Sequence, residues 1–447
     1  MSYSKWIRSN IKILMAIAMA GVLNCAAATM AHSEESQDQA AAPSAPAGTT
    51  AKLSPVPLPG PLAQPRALNQ LGAPALQTLA EPPADNPQSA QKIALGEKLF
   101  FDPRLSVDGT VACASCHNPD RAFTDGRPTS VGVYGRVGQR NAPSVLNALY
   151  NEAQFWDGRA TTLEEQAGFP IINPSEMGQP SLNDAVAKIA PVSDYQEEFQ
   201  TAFGQPANSL NLVRAIAAYE RTLISFDSPF DHFIAGDPNA IDASAKHGWE
   251  LFNGRAHCSR CHASVNRDVT YFTDFAFHNI GIGILRHNVT PLAQQAQRLI
   301  AKNDLPGVDQ AAIQSELSVL GRFLVTRKDA DTASFKTPGL RNVLITSPYF
   351  HDGSQETLWD VMDHYNKGDG LKNPWLDEDI EPLALTENEI DDLVSFMASL
   401  TSAEYKEIGE KELARQRALS RSSRTQRDTA RAFAPKQPEP EPPCQCR

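Results

Sequence analysis

The chain has 447 residues, 41% hydrophobic and 21% charged, which excludes a wholly disordered protein and leaves room for more than one domain. A formal net charge of −12 repels phosphates and argues against a nucleic-acid partner. Seven cysteines are too few to staple a chain of this length, and 16 of the 33 prolines gather in residues 41–90 and 435–443, so the middle is little broken.

Residues 1–31 read as an export signal. Lys5, Arg8 and Lys12 precede an apolar run from Ile13 to Leu23, and small residues follow to Ala31. The run is shorter than a bilayer-spanning helix requires, and no later stretch is long and apolar enough. A periplasmic protein without a membrane span after signal cleavage is therefore expected. Cys25 follows Asn24, where a lipid-anchor site calls for a small residue. Residues 32–85 form an Ala/Pro-rich leader, expected to be flexible. Folding signals begin at Asn86-Pro87, read as a helix N-cap and first-turn proline. Ile93, Gly96, Leu99 and Phe100 then share one helical face.

A weak repeat follows. Gly96-Glu97-Lys98-Leu99-Phe100 precedes a CxxCH motif, and Gly248-Trp249-Glu250-Leu251-Phe252 precedes another. Each half closes with an amphipathic helix. One carries Leu212, Ile216, Tyr219 and Leu223. The other carries Ile390, Leu393, Val394, Met397 and Leu400, behind a Thr386/Glu389 capping box. The glycine in each leading helix lets the closing helix cross it closely. Two similar domains are expected, 86–235 and 236–401. They are mainly α, with long loops and no large sheet. Beyond them, 402–447 reads as a basic then Pro-rich tail. Seven Lys/Arg against two acidic residues between Lys411 and Arg431 leave about −17 on the rest. The tail reads as a solvated helix and disordered end, with a docking arm as the alternative.

Cys113-Ala-Ser-Cys116-His117 and Cys258-Ser-Arg-Cys261-His262 are the strongest chemical signals. In CxxCH, two thiols add across haem vinyl groups and the histidine ligates iron from below. Structural zinc uses four ligands at other spacings, and a redox dithiol does not need the histidine. Two covalently attached c-type haems are therefore expected, in two cytochrome c-like domains. Cys444 and Cys446 lack a following histidine and suggest no role. Two haems serve either an electron carrier or a catalyst. An open sixth iron position distinguishes the catalyst.

Phe101-Asp-Pro-Arg-Leu-Ser106, Arg140-Asn-Ala-Pro143 and Phe155-Trp-Asp-Gly-Arg-Ala160 resemble the bacterial di-haem cytochrome c peroxidase family. So do Leu340-Arg-Asn-Val343 and Thr346-Ser-Pro-Tyr-Phe-His-Asp-Gly353. The resemblance runs from about residue 86 to 401. It implies a peroxidatic haem on His117 and an electron-transfer haem on His262, with Trp156 bridging them. Gln166, Pro170 and Glu176 match the family's distal pocket, where a carboxylate moves the proton during peroxide cleavage. Asn141 and the carbonyls of Thr346 and Pro348 match the protein ligands of a calcium ion between the domains.

Two departures place the chain nearer the MauG-like branch. Val133 stands where many relatives carry an inhibitory histidine, and no histidine lies between His117 and His232. The first haem is therefore expected to be open at rest. Tyr365 stands where many relatives place a methionine ligand to the second haem. Met362, His364 and His351 are nearby rivals. The implied activity is hydrogen peroxide reduction, with a small cytochrome or cupredoxin as electron donor, or oxidation of a partner protein. A non-catalytic di-haem carrier is the alternative.

Overall fold

The structure is a computed structural model. It describes residues 82–262, 271–284, 287, 289–302, 314–368 and 373–433, with side chains to 422. The expected signal, Cys25, nearly all of the leader, Cys444, Cys446 and the Pro-rich end lie outside the described residues.

Helix α1 (Ala90–Phe100) opens the first half. Its cap is Ser89, whose hydroxyl accepts from the Lys92 amide at 3.2 Å. Asn86, expected as the cap, instead lies buried. Its amide donates to Glu164 at 2.7 Å and to the Arg214 carbonyl at 3.0 Å, fastening the segment before α1 to two later helices. These are α2 (Leu163–Ile172) and α3 (Ser209–Glu220). Leu99, Phe100, Leu212, Ile216 and Tyr219 bury at the α1–α3 crossing, each contributing about 1.5–3 kcal/mol. The crossing depends on Gly96: a Cβ there would lie 1.9 Å from the Ala215 carbonyl oxygen.

Helix α4 (Pro229–Ile234) follows, and its Phe230 belongs to the second core although it precedes residue 236. The second half repeats the crossing with α5 (Ala243–Asn253) and α7 (Glu387–Ala398). A Cβ at Gly248 would lie 2.0 Å from the Asp392 carbonyl oxygen. The Thr386/Glu389 capping box is present. Between α5 and α7 lies α6 (Leu358–Lys367), capped by Thr357. A third, smaller core gathers Ile284, Leu292, Leu317, Leu320 and Phe323 from an insertion within the second half. The described strands are β1 (Phe277–His278) and β2 (Phe335–Lys336), an antiparallel pair, so the expectation of a mainly helical chain holds.

The halves echo each other at a fixed offset of 195 residues over their second parts. Caps Thr162 and Thr357 open α2 and α6, which have equal length. Left-handed Asn147 and Asn342 open matching short 3-10 helices. Phe155 and Phe350, then Gly158 and Gly353, share positive φ. The isolated bridge Gln154–Ala160 matches Tyr349–Gln355.

Helix α8 (Lys406–Phe433) does not begin as a solvated tail. Gln416 is fully buried in the second half. It donates to the Leu344 carbonyl and the Tyr349 hydroxyl, and accepts from the Leu358 amide, the first of α6. A polar side chain so fully paired anchors the helix where charge composition alone suggests only solvent.

Candidate haem sites

Each CxxCH motif lines its own cavity. His117 Nδ1 lies 3.0 Å from the Phe123 carbonyl, and His262 Nδ1 lies 2.8 Å from the Phe272 carbonyl. A carbonyl only accepts, so each Nδ1 carries the proton and each Nε2 keeps its lone pair for a metal. Phe123 and Phe272 hold φ of 60° and 56°, a conformation unusual for a bulky residue. In both halves the left-handed turn aims the carbonyl at the ring. Burial lowers both histidine pKa values and keeps the rings neutral, the ligating form. Cys113, Cys116, Cys258 and Cys261 are unpaired thiols, available for thioether bonds. The donor sets fit two c-type haems.

The first cavity brings together His117, Trp156, Gln166, Pro170 and Glu176. Gln166 and Pro170 come from α2, and Glu176 from the loop that follows. Burial raises the Glu176 pKa, while Arg159 and a hydrogen bond from Asn173 pull it back. Among its described lining residues His117 is the one histidine, and Met177 supplies a thioether. Val133 is buried, and its amide donates to the Glu176 carbonyl at 2.8 Å. It therefore supports the glutamate loop. A Cβ on neighbouring Gly132 would meet that loop's backbone at 2.1 Å.

The second cavity is lined by His262, Tyr365, Met362 and His351. Tyr365 and Met362 sit three apart on α6, on one face. His364 does not line it, and its Nε2 is 2.9 Å from the Ile280 carbonyl. His351 stacks on Phe335, with ring centroids 3.5 Å apart. Burial and nearby Arg140 hold its pKa well below the usual range. Burial raises the Tyr365 pKa, which keeps the phenol protonated until a metal displaces the proton. At the 195-residue offset Tyr365 matches Pro170. The same helical position thus offers iron a phenol in one half and a residue with no ligand atom in the other.

Trp156 lines both cavities, as do Asn141, Pro143, Lys336 and Pro338. Its indole Nε1 donates to the Asn141 carbonyl at 3.0 Å, and its carbonyl accepts from the Lys336 amide at 2.7 Å. Asn141 is buried, and its Nδ2 donates to the Arg127 carbonyl at 2.8 Å, which turns Oδ1 the other way. Thr346 and Pro348 line the second cavity with it. These oxygen donors suit a hard cation such as calcium.

Sequence reasoning passed over Arg140, Arg159, Lys336 and Glu220, which also line the first cavity. Glu220 is buried with one carboxylate oxygen unpaired, and burial lifts its pKa to about 8. Only the 195-residue offset, applied past the motifs, could have drawn attention to Lys336. Cys261, Asp274 and His278 lie close enough together to hold a metal. Both His278 nitrogens, however, face carboxylates, Asp377 at 2.5 Å and Asp274 at 2.9 Å, and Cys261 is a haem thiol. Among the described residues no helix is long and apolar enough to cross a membrane.

The family model for di-haem cytochrome c peroxidase matches residues 90–239. The methylamine utilization protein MauG of Methylorubrum extorquens is 40% identical over 321 residues, 71% of this chain and 80% of that protein. The cytochrome c peroxidase Ccp of Escherichia coli is 37% identical over 318 residues, 71% of this chain and 60% of that longer protein. A crystal structure of a MauG-like protein associated with microbial copper homeostasis superposes with a TM-score of 0.59 at 30% identity. It covers 78% of this chain and 95% of that one. The chain belongs to the di-haem cytochrome c peroxidase family of haem peroxidases, whose two haems its two CxxCH cavities are built to hold.

Proposed function

We propose that this chain is an exported peroxidase that reduces hydrogen peroxide in the first cavity and draws electrons through the second. The convergence of Gln166, Pro170 and Glu176 in the cavity of His117 carries this reading. Reduction of one peroxide consumes two electrons and two protons and yields two waters. When bound, the haem supplies the redox chemistry. The chain supplies proton handling: Glu176 takes a proton from the near peroxide oxygen and returns one to the far oxygen. Gln166 orients the peroxide, and Pro170 shapes the pocket without offering a ligand. Trp156 bridges the cavities. His117 and His262 hold the irons, and Asn141, Thr346 and Pro348 hold calcium. The basic start, apolar run and small residues of 1–31 support export to the periplasm.

Tyr365 in the second cavity favours a MauG-type variant, in which the oxidising equivalents leave by taking electrons from a partner protein. A phenolate is a hard anionic donor and stabilises oxidised iron relative to methionine. Peroxide added to the purified ferric holoprotein tests both readings. Consumption of peroxide, with one haem five-coordinate at rest, supports the peroxidase. Two six-coordinate haems inert to peroxide would establish the electron carrier instead. Rapid oxidation of a reduced small cytochrome or cupredoxin identifies a scavenger. Slow oxidation, with a mass change in a co-purified protein, identifies the protein-modifying enzyme.

A further inference from the structure

Lys336 has an unusual setting for a cation. It sits on β2 in the second half, yet its side chain enters the first cavity. Its Nζ lies 3.4 Å from Asn151 Oδ1, and Asn151 lines the first cavity but not the second. Burial lowers its pKa to about 8, and no carboxylate offsets that effect. Lys336 is half-buried between the two cavities, and an ammonium with one long neutral contact in such a place is stabilised by an anion that reaches it. Among the described residues no carboxylate pairs with it.

Its place in the repeat sharpens the point. At the 195-residue offset Lys336 matches Asn141, and Trp156 matches His351. The four residues exchange backbone hydrogen bonds reciprocally. The Asn141 amide donates to the His351 carbonyl at 2.9 Å, and the Lys336 amide donates to the Trp156 carbonyl at 2.7 Å. In one half this position presents a side-chain oxygen suited to a metal cation. In the other it presents a cation of its own. Arg140, half-buried, lines the same cavity with its Nε buried and unpaired and its guanidinium over Phe335 at 4.6 Å.

We infer that Lys336 is a cofactor-binding residue, a built-in cation from the second half that receives a propionate of the first haem. The inference rests on the assignment of a haem to the first cavity but not on peroxidase activity. Thioethers at Cys113 and Cys116 would hold the vinyl-derived edge of a bound haem, and its propionates, on the opposite edge of the macrocycle, would be the available anions. Lys336 also holds the Trp156 backbone, so one residue sets both the charge at the first haem and the position of the bridging ring.

Spectroelectrochemical titration of the full-length holoprotein tests this directly, with haem content measured alongside. Removing a positive charge beside a propionate stabilises ferric iron. In Lys336→Met the midpoint potential of the first haem should fall while that of the second stays, and Lys336→Arg should hold the wild-type value. Lys336→Gln keeps a donor for Asn151 without the charge. It gives the same readout if the Met variant loses its haem. An unmoved first-haem potential in these variants would overturn the proposal, as would a shift confined to the second haem. A wild-type holoprotein inert to peroxide would defeat the peroxidase reading and leave this measurement intact.

Discussion

In the proposed mechanism Glu176 and Tyr365 carry the chemistry that separates a peroxidase from a simple electron carrier, and each makes a distinct prediction. Glu176→Gln removes the proton acceptor without changing the size of the side chain. Peroxide consumption should fall about 10²- to 10⁴-fold, with haem content and resting spectra retained. Because burial raises the Glu176 pKa, its base form appears only as pH climbs past the ordinary carboxylate range. Wild-type kcat/KM should therefore rise with pH through that displaced pKa, and Glu176→Gln should lose this limb. A stopped-flow pH series reads both effects. Tyr365→Met exchanges a hard anionic donor for a soft thioether, so the second haem's potential should rise and its ferric spectrum change. Identical spectra would return the ligand role to Met362 or His351. Glu220 adds a stability effect of definite sign. Its folded pKa, about 8, lies above its unfolded value, so the folded state holds the proton more tightly. That contribution is complete below the unfolded pKa and is lost as pH rises towards 8. Glu220→Gln should flatten this decline, measured as Tm of the holoprotein between pH 5 and 8.

At the scale of elements, each half is held by one helix crossing at a glycine. Gly96→Ala and Gly248→Ala place a methyl against backbone carbonyls that cannot move aside as a side-chain tip can. Each should cost at least the ~1–3 kcal/mol of an overpacked core, while Gly138→Ala, with its nearest neighbour at 3.8 Å, serves as the control. Thermal unfolding of the three variants decides it. These crossings were legible beforehand because a glycine amid Leu and Phe on an apolar face has few other reasons to be there. The CxxCH motifs were legible because their spacing is the chemistry. The distal residues needed the family resemblance, since Glu176 in Pro-Ser-Glu-Met has no periodic or spacing signal of its own. Helix α8 misled because its charge pattern speaks of solvent, while its attachment rests on scattered residues, the buried Gln416, the apolar Ile408 and Leu413, and Glu412 and Arg415 paired with Ser347. The Asn86 cap misled for a related reason: the same side chain that caps a helix also satisfies long-range partners, and Ser89 was the better-placed cap.

Across the whole molecule, Trp156 is where three parts of the chain meet. The first half supplies the tryptophan and the Asn141 carbonyl that accepts from its indole. The second half supplies the Lys336 amide. The insertion supplies Arg322, which donates to the Asp157 and Gly158 carbonyls at 2.9 and 2.8 Å. Asn141 is the joint of this arrangement. Its carbonyl holds the indole, its amide holds His351, and its free Oδ1 is the proposed calcium ligand. Loss of calcium should therefore loosen the bridge through Asn141, without touching either CxxCH motif. After chelation, electron sharing between the haems should slow roughly tenfold or more, equal to about 1.4 kcal/mol or more in barrier. Trp156→Phe, which lacks the indole N–H, should slow it without chelation. The two changes share one joint, so they should not add: chelation should have little further effect in Trp156→Phe. Stopped-flow spectra of both haems, with and without chelator, complete the cycle. Additive losses would show that calcium acts on the haems by a route other than Asn141 and the tryptophan.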